Sequence, residues 1–114
     1  MITKNAVDVV RDAISLIQRN GWTIGTAKSV EGSYCLMGAL HASAYGSVSD
    51  GDAVLEEYPE ILNAVKKSLC DSRESDDAYR TRVRVIHFND VGECSEEKAI
   101  QFLSTVLDKV QRSD

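Results

Sequence analysis

A chain of 114 residues buries one core but not two, and 43% apolar with 27% charged residues, seven glycines and one proline excludes a disordered or fibrous chain. The net charge of −5 argues against a broad nucleic-acid face, which needs clustered Lys and Arg to displace counterions from phosphates. Cys35, Cys70 and Cys94 are odd in number and contain no C-x-x-C pair, so they suggest neither a disulfide framework nor a zinc knuckle.

One domain over residues 1–114 in a reducing cytoplasm is expected. No apolar run approaches the about 20 residues of a membrane span, and the polar start Met1 to Asn5 does not read as a signal peptide. Neither a membrane nor direct nucleic-acid contact is expected.

From Thr3 to Asn20, Val7, Val10, Ile14 and Ile17 recur at 3,4 spacing beside Ala6, Ala13 and Leu16, which predicts an amphipathic helix. Thr3 or Asn5 caps it, and Asn20-Gly21 ends it. Trp22 follows the stop and is expected to fold back onto the helix, its indole N–H seeking a partner; ligand stacking is the other reading. Trp22 to Ala27 reads as a short strand weakened by Gly25, and Lys28 to Gly32 as a polar loop.

The second helix is expected from Ser33, as N-cap, to Tyr45, with Gly46 as its stop. Gly38, Ala39, Ala42 and Ser43 leave part of its surface shallow enough for another backbone to approach. Val48 to Asp52 is turn chemistry, Ala53 to Tyr58 a single helical turn, and Pro59 to Cys70 a helix with Ile61, Leu62, Val65 and Leu69 on one face. Asp71 to Asp77 reads as an exposed, charge-rich loop.

Arg82 to Phe88 is short and β-branched, predicting a strand that stops at an Asn89-Asp90 turn. Arg80, Arg82 and Arg84 then form a solvated cationic edge with Arg82 and Arg84 on one side. Ser95, Glu96 and Glu97 start the last helix, whose stripe is Ala99, Phe102, Leu103, Val106 and Val110. The fold expected is mainly α, a single compact domain of about four helices with a possible short two-stranded β ribbon formed by Trp22 to Ala27 and Val83 to Phe88.

Nucleophilic cysteine chemistry needs a thiolate, a histidine base and an orienting group. The candidates are Cys35 at a helix start, His87, and Asn89 or Asp90. His41 lies about 240° round the helix from Cys35, so it does not serve as the base; it reads as a partly exposed histidine beside Met37 and Tyr45. The plainer reading of Cys35 is a small buried side chain. Asp90 with Glu93 makes a thin cation site beside the plainer reading of a self-bonded turn. P-loop, dinucleotide and H-E-x-x-H motifs do not occur, so no metal and no cofactor are assigned.

Trp22, then Tyr34-Cys35-Leu36-Met37-Gly38-Ala39-Leu40, then Val85-Ile86-His87-Phe88-Asn89-Asp90 and a capped helix, resembles a family of small actinobacterial and phage proteins of unknown function. Its pattern is an N-terminal helix, a Tyr/Trp-Cys-x-x-Gly-Ala-Leu segment and a Trp-Asn-Asp turn. Phe88 stands where that family has tryptophan, and the pattern does not require His87. The resemblance implies a bacterial or phage cytosolic protein without an assigned activity.

The leading expectation is a non-enzymatic interaction or regulatory protein that acts on a bacterial host protein through a patch including Trp22, Tyr34, Phe88 and Asp90. Its rivals are a cysteine-dependent hydrolase or transferase using Cys35 and His87, and an acidic mimic of nucleic acid.

Overall fold

Asn5 opens the first helix, its side-chain oxygen accepting from Asp8 N–H at 2.8 Å, and Gly21 ends it at φ 94°, where a side chain is strained. This is α1 (Ala6–Asn20) in a computed structural model that describes residues 4–48, 52–69, 72–91 and 94–112. The others are α2 (Leu36–Tyr45), α3 (Ala53–Glu57), α4 (Pro59–Ser68), α5 (Ala78–Asp90) and α6 (Glu96–Arg112). α1 packs between α6 and α2, α6 also meets α4, and α5 rests on α2 and α4. One apolar cluster lies between them, with Val9, Val10, Ala13 and Ile17 of α1 and Leu103 and Val106 of α6 fully buried.

Six helices replace the expected four or so, and the ribbon does not form among the described residues. Residues 82–88 lie inside α5. Asp77 caps that helix by accepting from Arg80 N–H at 2.8 Å, and Ala78, Thr81, Val85 and Asn89 are its buried face. The β-branched residues of this run do lower helix propensity, but by only tenths of a kcal/mol each. A correctly spaced buried face outweighs that.

The residues expected as the partner strand, Trp22 to Ala27, are part of a loop that closes on Tyr34. Thr23 N–H donates to Tyr34 O and Tyr34 N–H to Gly21 O, both at 3.0 Å, and Cys35 N–H donates to Ala27 O at 3.1 Å. Ser33 is not the cap of α2. Its hydroxyl donates to Asn20 O at 3.0 Å and so satisfies the end of α1, while the Cys35 thiol caps α2 by accepting from Gly38 N–H at 3.2 Å.

Helical geometry also separates the arginines. Arg82 and Arg84 are about 200° apart on α5 rather than side by side. Arg84 Nε donates to Asp76 Oδ2 at 2.7 Å. Arg73, Glu74, Ser75 and Asp77 are exposed as expected of this loop, but Asp76 is 3% exposed and also accepts from Arg73 N–H at 2.9 Å. The Arg73 N–H, followed by the Arg84 guanidinium, holds its carboxyl below the usual range against the opposing effect of burial. Asp71 of that loop, and Cys70 before it, lie outside the described residues.

His41 is fully buried, not partly exposed. Its Nδ1 lies 3.2 Å from Met37 O, so Nδ1 carries the proton and Nε2 faces Val54 N–H at 3.5 Å. Burial, reinforced by the nearby Arg82 charge, lowers its pKa despite the Met37 carbonyl. The unfolded chain therefore takes up this proton first. Stability should fall as pH drops below about 6.5, the ordinary histidine value, and level off below the folded-state value. In urea titrations at pH 5 to 8, the stability advantage of the native chain over His41→Gln should shrink toward pH 5; a constant difference would contradict a buried neutral imidazole.

Candidate functional site

A cleft of about 280 Å³ opens between the 21–35 loop and α5, lined by Gly25, Thr26, Ala27, Cys35, Met37, Arg82, Ile86 and Asp90. Arg82, Ile86 and Asp90 stand at i, i+4 and i+8, so one face of α5 forms a whole wall. Its floor is apolar, its two ends are a guanidinium and a carboxylate. Arg82 lies with its guanidinium carbon 5.3 Å from the Tyr79 ring centroid, and its Nε is buried without a hydrogen-bond partner.

Asn89 holds the two sides of this cleft together. Its Oδ1 accepts from the Trp22 indole N–H at 2.7 Å and from Leu36 N–H at 3.2 Å. Its Nδ2 donates to Thr23 O at 3.1 Å and to Asp90 Oδ1 at 2.7 Å. Both donor and both acceptor positions of the amide are thus used, which leaves it nothing with which to orient a catalytic base. The Trp22 indole does find a partner, but on α5, 67 residues away in sequence.

Of the four residues considered for catalysis, Cys35 and Asp90 share the cleft, Asn89 is buried behind it, and His87 is absent from it. His87 is exposed on α5, about 100° round from the line of Arg82, Ile86 and Asp90. Burial pushes the Cys35 thiol up, opposed by the Gly38 and Met37 N–H groups and reinforced by the Asp90 charge. Cys35 is 7% exposed, so it should react with a neutral alkylating agent more slowly than the half-buried Cys94 at pH 7 to 8. Mass spectrometry of partly labelled protein checks this, and faster labelling of Cys35 would mark an activated thiolate.

Tyr34 is buried, with Lys28 Nζ 5.2 Å from its ring centroid, and Phe88 packs on Phe102 at 5.2 Å between ring centroids. Neither is an open aromatic platform. Glu93, weighed as a partner of Asp90, lies outside the described residues. Among the described residues no group of three or more His, Cys, Asp or Glu is placed to hold a metal ion, and no helix is long and apolar enough to cross a membrane.

A model of the family described as DUF6197, a family of unknown function, matches residues 1–109. The chain belongs to the DUF6197 family. No curated protein and no solved structure matches it. Sequence reasoning about this DUF6197 chain missed Arg82 and Ile86 as neighbours of Cys35, because reading residues 82–88 as a strand hid their common face. The spacing Arg82, Ile86, Asp90 was the available signal.

Proposed function

We propose that this DUF6197 protein is a small non-enzymatic interaction protein of a bacterial or phage-infected cell that acts by binding a host protein. The observation that carries the reading is the outer surface of α5. Tyr79 is 58% and Val83 44% exposed one turn apart, with Arg80 beside them and the Arg82 guanidinium over the Tyr79 ring. Exposed aromatic, arginine and aliphatic groups in one place are the composition of a binding hot spot. The rival, a cysteine-dependent hydrolase or transferase, draws support from Cys35 and Asp90 in one cleft and lacks a base beside the thiol.

The test begins with affinity capture from a bacterial lysate and continues with the purified captured protein. A stoichiometric complex, weakened by Tyr79→Ser or Val83→Asp in variants with native urea midpoints, supports the reading. Substrate turnover by the purified chain that disappears in Cys35→Ala would overturn it.

A further inference from the structure

We propose that the groove along Arg82, Ile86 and Asp90 receives an extended peptide segment of the protein partner, with an acidic residue at the Arg82 end and a basic residue at the Asp90 end. The proposal rests on the interaction reading above and assigns it a site and a partner chemistry.

The groove has length and polarity. Eight residues of α5 separate Arg82 from Asp90, about 12 Å at the helical rise of 1.5 Å per residue. An extended chain advances about 3.3 Å per residue, so an acidic and a basic residue three or four positions apart span the same distance. Between the ends, Ile86, Met37 and Ala27 offer apolar surface for the intervening side chains.

Arg82 supplies the strongest reason to look for an anion. Its Nε is buried and bonded to nothing, although buried polar groups are ordinarily satisfied and an unsatisfied donor is costly. A carboxylate entering the groove would meet the guanidinium in a charge-assisted bond, and a turn of the Arg82 side chain that uncovers Nε would supply the missing acceptor. The Tyr79 ring holds the guanidinium from one side, which reduces the side-chain freedom lost on binding. At the other end Asp90 accepts a hydrogen bond from Asn89 Nδ2 and so is fixed in place with its negative charge toward the cleft it lines.

The dimensions favour a chain segment over an enclosed small molecule. The volume of about 280 Å³ falls just below the ~300 to 1,000 Å³ of typical ligand pockets, enough for a few side chains laid along a surface. The facing wall is the loop at Gly25, and a Cβ added there would meet no atom within 4 Å, so the approach along that wall is open. Opposite charges at the two ends select a dipolar sequence and disfavour a uniformly acidic or basic one.

The experiment is a selection of random peptides displayed on phage against the intact protein, followed by fluorescence anisotropy of synthetic copies of the enriched sequences. Arg82→Met, Asp90→Asn and, as a control on the exposed face of α1, Arg11→Glu are compared with the native protein after their urea midpoints are matched. Enriched peptides should carry an acidic and a basic residue three or four positions apart with apolar residues between them. Arg82→Met should weaken them at least about tenfold, the loss expected for one charge-assisted hydrogen bond, with a smaller loss for Asp90→Asn and none for Arg11→Glu. Peptides that lack an acidic residue, or no enriched family at all, overturn the groove proposal. Binding insensitive to Arg82→Met also overturns it. In each of these cases the interaction reading is judged separately, by the complex with the purified partner.

Discussion

Gly38→Ala should destabilise the protein by about 2 to 3 kcal/mol, even though alanine is the better helix former by about 1 kcal/mol. A Cβ at position 38 would overlap Ala27 O and stand 2.7 Å from Ala27 C and 3.0 Å from Ala27 Cα. All three are main-chain or Cα atoms, so no rotamer change relieves the overlap. The loop must move, and with it goes the Cys35 N–H to Ala27 O bond of 3.1 Å that ties the loop to the start of α2. Overpacking and that lost bond exceed the propensity gain, which fixes the sign. Because the obstacle is main chain, Ala27→Gly should not rescue Gly38→Ala. Urea denaturation of the two variants and their combination checks the argument; an unchanged midpoint for Gly38→Ala would mean that the loop does not lie against this face.

The same contact explains why some elements were readable in the sequence and others were not. α1, α4 and α6 bury stripes made wholly of apolar residues, so the 3.6-residue period stands out, and each start is marked, by Asn5 in α1, Pro59 in α4 and Ser95 in α6. α5 buries Thr81 and Asn89 within its stripe, and these polar residues break the pattern where it mattered most. α2 announced its small-residue face, yet nothing local reveals that the backbone approaching Gly38 comes from the loop at Ala27. That loop has no period of its own. It is held by main-chain bonds to Tyr34 and Cys35 and by the Asn89 amide, all set by tertiary structure. Cys35 and Asp90 were singled out and do share the cleft, whereas pairing Cys35 with His87 depended on a strand that is a helix. The error about one element therefore became an error about the site.

Asn89→Ala should cost about 3 kcal/mol or more, because the amide satisfies three groups from two other segments, residues 22–23 and the start of α2. Truncation leaves the Trp22 indole N–H, Leu36 N–H and Thr23 O without their partner, and each buried unsatisfied group costs about 1 to 3 kcal/mol, less where water reaches it. Trp22 fluorescence should move toward the emission of a solvated indole before global unfolding, since its indole anchor is the bond that is lost. Asn89→Asp separates the donor function from the acceptor function. The aspartate keeps an oxygen for Trp22 and Leu36 but sets a second oxygen against Thr23 O and the Asp90 carboxylate, formerly met by Nδ2. Burial and the Asp90 charge would raise the carboxyl pKa in the folded state above its unfolded value. The folded variant then binds a proton that the unfolded chain does not, so its deficit relative to the native protein should narrow as pH falls from 7.5 through that raised value. Urea midpoints at pH 7.5 and 5 for the native protein, Asn89→Ala and Asn89→Asp make the comparison. A deficit for Asn89→Asp that ignores pH would show that the carboxylate reaches water, and native stability in Asn89→Ala would free Asn89 from its structural role and return it to the cleft's chemistry.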